Sequence, residues 1–314
     1  MTENREFADL FQEEVGRPLE RGLSLKGLSS LRIGGTADLF FEARTEGELK
    51  AAVALAFRES HPFYVIGGGY NVLFDDAGFR GLLIRNRAEG ISRSEEEGVV
   101  EASSGTGLPV LLQTGLERGW TGLEFLAGIP GSVGGAVYSN AGAFGGSIGE
   151  IVVRGALLDR AGRVKPASPE DFGFGYRRSS LQESRGIVLR IAVKAPTGDP
   201  KASLAKVRDF MEKRKAKHPP WGTACAGSYF KNPCSPSGER TAAGYLLEKA
   251  GARGMRVGDA AIYENHCNFF INLGEASSAD VLRLADELKE RVFRLFGVRL
   301  EEEVIHLPAD ASML

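Results

Sequence analysis

Two glycine-rich stretches hold the residues whose spacing most directly implies chemistry. Gly67-Gly68-Gly69 ends an apolar run, and Gly128-Ile129-Pro130-Gly131-Ser132-Val133-Gly134-Gly135-Ala136 leads into Asn140-Ala141-Gly142-Ala143-Phe144-Gly145. Glycine lets a backbone approach a ligand closely or adopt conformations closed to other residues. Several unencumbered main-chain N–H groups in such loops suit a pyrophosphate. One cluster alone reads as a turn; two favour a phosphate cradle, without naming its cofactor. A Rossmann loop does not fit, because 67–72 lacks the third glycine of GxGxxG and no acidic residue follows a second strand at the usual distance.

The elements that must position these loops are legible from periodicity. A strand over 37–43 precedes a helix opened by a capping box at Thr45-Glu46-Gly47-Glu48, with Leu49, Ala52, Val53, Ala56 and Phe57 on one face. A strand over 62–66 runs into the triple glycine, and another, over 81–85, follows the turn at 75–78. The charged stretch 87–98 reads as a boundary. After it come a strand over 99–102, a helix over 108–116, strands near 152–159 and 187–193, and a second boundary at Thr197-Gly198-Asp199-Pro200. An amphipathic helix bearing Leu204, Val207, Phe210 and Met211 is expected to end at Pro219-Pro220. Ser277 caps a long helix through Val281, Leu284, Leu288, Val292 and Phe296, Gly297 closes it, and a strand over 298–307 follows. Three α+β units are the economical division, at 1–92, 93–199 and 200–314.

Composition sets the outer limits. The chain has 314 residues, 43% hydrophobic and 25% charged, and a net charge of −2, the profile of an ordinary globular protein rather than a disordered or fibrous one. That charge offers no footprint for nucleic acid or an anionic membrane. The polar N-terminus shows no signal peptide or membrane span. Three cysteines form no disulfide framework and no CxxC pair, so neither zinc nor any other metal is expected, and a reducing, cytoplasmic setting fits.

Several segments are recognisable. Ser30-Leu31-Arg32-Ile33-Gly34-Gly35, Val65-Ile66-Gly67-Gly68-Gly69-Tyr70-Asn71-Val72-Leu73 and Gly122-Leu123-Glu124-Phe125-Leu126-Ala127-Gly128-Ile129-Pro130-Gly131 resemble the FAD-binding segments of the UDP-N-acetylenolpyruvoylglucosamine reductase (MurB) family. Phe174-Gly175-Tyr176-Arg177-Arg178-Ser179, Ala226-Gly227-Ser228-Tyr229-Phe230-Lys231-Asn232-Pro233 and Gly258-Asp259-Ala260 through His266 to Asn272 resemble its substrate half. The likeness runs from about Leu31 to Leu307, in the family's order and in its shorter, type II-like form. It implies an α+β fold: a two-part FAD-binding domain of the vanillyl-alcohol-oxidase type (1–92 and 93–199), then an α+β substrate-binding domain (200–314) whose last strand returns to the FAD domain. It further implies non-covalent FAD held by Arg32, Gly67, Gly68, Gly69, Asn71, Val72, Gly128, Ile129, Pro130, Gly131, Gly134, Gly135, Asn140, Ala141 and Gly142. NADPH would be the hydride donor and a UDP-sugar the substrate of a monomer working in peptidoglycan precursor synthesis. Tyr70 departs from the pattern, standing where the family usually has a serine.

The implied reaction dictates what the site must do. Hydride delivery to the terminal carbon of an enol ether leaves negative charge on the next carbon, spreading into a carboxylate, so the site must hold that carboxylate and supply one proton. Arg177 suits the first task as a bidentate cation, although an arginine beside Arg178 taken alone would be a surface residue. Ser228 suits the second, because a positioned hydroxyl can protonate so basic an intermediate. Cys225 is the competing donor and the better acid by ordinary pKa. Glu301-Glu302-Glu303 reads first as a solvated run, and alternation along the expected strand chooses none of them. The resemblance chooses Glu303, placing it near Arg177 and the substrate carboxylate. Substrate contacts are expected from Tyr176, Lys231, Asn232, Tyr245 and His266, with Tyr245 alternatively on a core helix face and His266 alternatively a satisfied buried histidine. The rivals are a flavin oxidase of the same fold class and a non-catalytic nucleotide binder.

Overall fold

The computed structural model describes residues 2–235 and 238–310; Met1 and 311–314, the outermost residues of the expected first and third domains, lie outside them, as do Pro236 and Ser237. The chain forms two compact units. One gathers Gly22–Ala37, Gly69–Arg80 and the residues from Lys215 on, and the other holds the remaining residues up to Arg214. The expected boundaries are therefore not those of the structure. At 92/93 the cut would split the strand Ile91–Arg93, which pairs with Val99–Ser103. The second boundary shifts to Arg214, because the helix Pro200–Lys215 stays with the first unit through buried Phe210, stacked on Phe144 at 4.0 Å.

The first unit has two cores. In one, the helices Thr2–Val15 and Glu46–Arg58 bury Phe11, Leu49 and Val53 against Phe41, Phe63, Leu82 and Ile84. The strand Phe63–Ile66 pairs in parallel with Phe79–Asn86, Phe63 opposite Leu82 and Ile66 opposite Arg85, and so delivers the chain to Gly67. Thr45 caps the second helix, but only half of the expected box forms. The Glu48 carboxylate bonds Arg44 N–H and the Arg17 guanidinium instead of the N-cap amide. The other core backs an antiparallel five-stranded sheet in the order Val164–Ala167, Val152–Leu158, Ile187–Lys194, Val99–Ser103, Ile91–Arg93. Against it lie Leu108, Leu111, Val133 and Val137 from the helices Leu108–Arg118 and Val133–Ser139.

The second unit is built on the antiparallel sheet Cys225–Ser228, Phe269–Asn272, Ala260–Ile262, Arg256–Val257. The helix Ser278–Phe296 buries Val281, Leu284, Leu288 and Val292, one stripe at helical spacing. Each such side chain contributes about 1.5–3 kcal/mol when fully removed from water. Ser277 and Asp280 form a reciprocal capping box, and Gly297 at φ +67° ends the helix. The strand expected over 298–307 is confined to Ile305–Leu307, which pairs in parallel with Val72–Phe74. Residues 301–303 instead bond across to the 229–231 backbone, which is why alternation could not rank the three glutamates. This pairing, with Leu31, Ile33 and Leu73 in one core with Phe230, Leu284 and Leu288, draws 22–37 and 69–80 into the second unit. Among the described residues no helix is long and apolar enough to cross a membrane.

Candidate active site

The glycine loops are formed as anion cradles. In the first unit, Gly67 is packed so that a Cβ would lie 2.2 Å from Ser132 Oγ, which brings the first loop against the cap of the Val133–Ser139 helix. The N–H groups of Gly68, Gly69, Tyr70 and Asn71 donate to no acceptor among the described residues, and neither do those of Gly131 and Ser132. Phosphate oxygens accept from such donors, so each of these loops, taken by itself, fits a phosphate group of FAD. Gly69 has φ +70° and a Cβ there would meet Leu28 O at 1.8 Å, so only glycine shapes this turn. Gly134 and Gly135 contribute differently from expectation. Their N–H groups are taken by Ser104 O and Ser132 Oγ, leaving them the task of close approach. Ile129 N–H and Ala141 N–H are likewise used internally, on Leu126 O and Ala136 O, and Pro130 has no N–H to give.

Arg177 sits beside Gly142, in the second glycine-rich stretch. Its φ of +53° is a left-handed conformation that costs a non-glycine residue about 1–2 kcal/mol. Bonds on every side hold it there. Arg177 Nη2 donates to Gly142 O at 2.9 Å, Asn140 Nδ2 donates to Gly175 O at 2.8 Å, and Gln182 Nε2 donates to Arg177 O at 3.2 Å. The Tyr176 ring, 37% exposed, lies 5.4 Å under the Arg177 guanidinium. A second cation nearby was not singled out from sequence. Arg214 donates through Nε to Ala127 O at 2.8 Å and stands 5.1 Å over the Phe144 ring. Burial, and then the charge of Arg177, push its pKa down. In the sequence Arg214 stands between Lys213 and Lys215, with no local feature to set it apart. The available signal was Gly128, where a Cβ would lie 2.6 Å from Arg214 Cδ.

The second unit carries the other candidates. Ser228 ends its strand opposite Phe269, after Gly227 at φ +80°, and its hydroxyl makes no hydrogen bond among the described residues. Burial raises the Cys225 thiol pKa, which narrows the advantage that ordinary values gave it as an acid. The glutamate run separates into three environments. Glu301 pairs with Lys231 Nζ at 3.4 Å and Glu302 with Lys289 Nζ at 2.8 Å. Glu303 is fixed through its backbone, N–H to Tyr229 O at 2.7 Å and C=O from Asn71 Nδ2 at 2.9 Å. Arg32, Asn71 and Val72 all belong to this unit. Arg32 Nη2 donates to Gly222 O at 3.0 Å, and Val72 O accepts from Ser29 Oγ at 3.0 Å. Asn232 Oδ1 accepts from Ala243 N–H at 2.9 Å at the start of the helix Ala243–Lys249. Tyr245 on that helix is 54% exposed, which rules out the core-face alternative. His266 is partly buried against Phe269 and His218, its Nδ1 accepts from Asn268 N–H at 3.3 Å, and burial lowers its pKa.

Residues 37–168 match the family model described as FAD binding domain, and residues 219–307 match UDP-N-acetylenolpyruvoylglucosamine reductase, C-terminal domain. A UDP-N-acetylenolpyruvoylglucosamine reductase of Rubrobacter xylanophilus is 41% identical over 89% of this chain and 92% of its own length. Reductase 2 of Symbiobacterium thermophilum is 39% identical over 91% of each. The chain belongs to the UDP-N-acetylenolpyruvoylglucosamine reductase family. The crystal structure of the Thermus caldophilus MurB superposes with a TM-score of 0.76 at 32% identity, covering 92% of this chain and 99% of that one. Membership makes the chain an FAD-dependent oxidoreductase, and the expected α+β fold with an FAD-binding domain of the vanillyl-alcohol-oxidase type stands.

Two outcomes test this geometry. Gly69→Ala should lower both flavin content and melting temperature, since a carbonyl blocks the added methyl and the left-handed φ adds about 1–2 kcal/mol of strain; a variant with wild-type flavin and melting temperature would contradict the cradle. For His266, the lowered folded pKa means that the unfolded chain takes up its proton first. Its contribution to stability is complete above the ordinary value of 6.5 and is lost as pH falls through that value towards the folded one. Wild type should therefore lose more stability than His266→Gln between about pH 8 and about pH 5, and parallel melting curves would show that His266 is not the group involved.

Proposed function

We propose that the chain reduces UDP-N-acetylglucosamine enolpyruvate to UDP-N-acetylmuramate with NADPH, supplying peptidoglycan precursor synthesis in the cytoplasm. The observation that carries this reading is the backbone pairing of residues 229–231, which directly follow Ser228, with residues 301–303, so that a proton donor and a carboxylate lie at the ends of one ladder. Bound FAD would supply the two-electron relay, from the nicotinamide to the terminal carbon of the enol ether. Free N–H groups in each glycine loop would hold its phosphates without a covalent tether, since neither loop contains histidine or cysteine.

The remaining work belongs to side chains. Arg177 pairs with the substrate carboxylate and stabilises the charge that develops on it, aided by the neighbouring charge of Arg214. Glu303 polarises or protonates the resulting enediolate. Ser228 donates its proton to the carbon adjacent to the carboxylate and is reprotonated from solvent. Lys231 reaches the substrate diphosphate, exchanging its exposed partner Glu301 for a stronger anion. Tyr176, Asn232, Tyr245 and His266 contact the sugar nucleotide, His266 as the neutral imidazole that its lowered pKa favours. Nicotinamide and sugar nucleotide would exchange hydride with the same flavin in turn, which gives ping-pong kinetics.

The half-reactions can be watched separately. Anaerobic NADPH should bleach the flavin, and the enolpyruvyl sugar nucleotide should restore its colour; reoxidation by oxygen alone would favour an oxidase. Ser228→Ala should leave bleaching intact and slow the second step by ~10²–10⁴-fold, whereas Cys225→Ala stays close to wild type. The reverse pattern would reassign the donor. Acid precipitation should release the yellow cofactor into the supernatant, and colour retained by the denatured pellet would refute a non-covalent FAD.

A further inference from the structure

The segment that follows Ser228 into the core is gripped by a side chain to which the reaction has so far assigned nothing. Asn268 is 2% exposed and directly precedes the strand Phe269–Asn272. Ser228 is the last residue of its own strand to pair with that neighbour, opposite Phe269. Past this point Tyr229 N–H still donates to Asn268 O at 2.8 Å, and then the Asn268 amide continues the pairing. Its Oδ1 accepts from Phe230 N–H at 2.9 Å and its Nδ2 donates to Phe230 O at 2.9 Å. One planar amide bonded to both the N–H and the C=O of a single residue copies what a further strand residue would offer.

The opposite edge of the same segment is taken by the glutamate run, with Glu303 N–H on Tyr229 O and Lys231 N–H on Glu301 O. Residues 229–231 are therefore held from both edges, by Asn268 and by the 301–303 backbone. Phe230 lies between Ser228, two residues before it in the chain, and the backbone that carries Glu303. Asn268 is itself set by His266, whose Nδ1 accepts its N–H.

We propose that Asn268 is the positioning residue that holds Ser228 and Glu303 in register for protonation of the reduced enolpyruvyl group. The inference rests on the reading of Ser228 as proton donor.

Two substitutions in the full-length flavoprotein test it. Asn268→Asp keeps the acceptor for Phe230 N–H and loses the donor to its carbonyl, while Asn268→Ser leaves room for a water to bridge both groups. Each variant is reduced anaerobically with NADPH and then mixed with UDP-N-acetylglucosamine enolpyruvate. Flavin reduction should be unchanged, and reoxidation by the sugar nucleotide should slow by about 10²-fold in Asn268→Asp, the penalty of roughly 1 Å of misplacement. Asn268→Ser should lose less. Added to Ser228→Ala, Asn268→Asp should slow the second step little further, because both act through one group. Equal slowing of both half-reactions, or the full loss repeated on top of Ser228→Ala, overturns the proposal. So does a loss of flavin or melting temperature in both variants while the surviving holoenzyme keeps the wild-type ratio of half-reactions. A wild-type protein whose reduced flavin is not reoxidised by this substrate would overturn the functional reading instead.

Discussion

The backbone ladder between residues 229–231 and 301–303 is the contact on which the second unit depends. Two bonds, Glu303 N–H to Tyr229 O at 2.7 Å and Lys231 N–H to Glu301 O at 2.8 Å, join segments some seventy residues apart in sequence. They bury Tyr229 and Phe230 among Phe270, Leu284 and Leu288, so the ladder is protected by the core that it helps to close. Protection matters because a backbone hydrogen bond shielded from water is costly to leave unmade. The chain then continues directly into Ile305–Leu307, whose pairing with Val72–Phe74 ties the glutamate run to the first glycine loop. Through Asn71 the same loop reaches the carbonyl of Glu303.

The first unit solves a different problem, the concentration of positive potential without a basic surface. Its loops present main-chain N–H groups, and two guanidiniums, Arg177 and Arg214, are brought close; burial, and then the charge of Arg177, lowers the Arg214 pKa. Arg177 accepts a left-handed backbone to stand there. Strain of this kind persists where surrounding bonds over-determine the conformation. Gly142 O, Gln182 and the Asn140–Gly175 bond provide that determination. A net charge of −2 over the whole chain conceals this local arrangement.

Much of the fold was legible because its signals are local. The Ser277–Asp280 capping box, the apolar stripe through Val292 and the closing Gly297 specify one helix with no help from elsewhere. The strand leading into Gly67 was legible for the same reason. Where the reading failed, a distant partner had intervened. Glu48 gave its carboxylate to Arg17 and Arg44 rather than to the expected cap, and 298–304 gave up regular strand pairing to bond the 229–231 backbone. The domain boundaries moved because Val72–Phe74 and Ile305–Leu307 pair across most of the chain length, a contact without any local signature.

The sequence by itself determined the class of chemistry: glycine loops that offer backbone donors, an arginine, a serine and a glutamate in recognisable settings, and a family that uses FAD. Residue type and short-range spacing suffice for that, since turn geometry and helix capping act within a few residues. Only the tertiary structure decided which glutamate of three is spent on Lys231, which on Lys289 and which has its backbone bonded to both Tyr229 and Asn71. It also decided that Cys225 loses acidity, that Arg214 stands beside Arg177, and that Asn268 clasps Phe230. Each of these follows from burial or from contact between residues far apart in sequence. Neither burial nor such contact is encoded at the residue itself; both arise when the core forms around it.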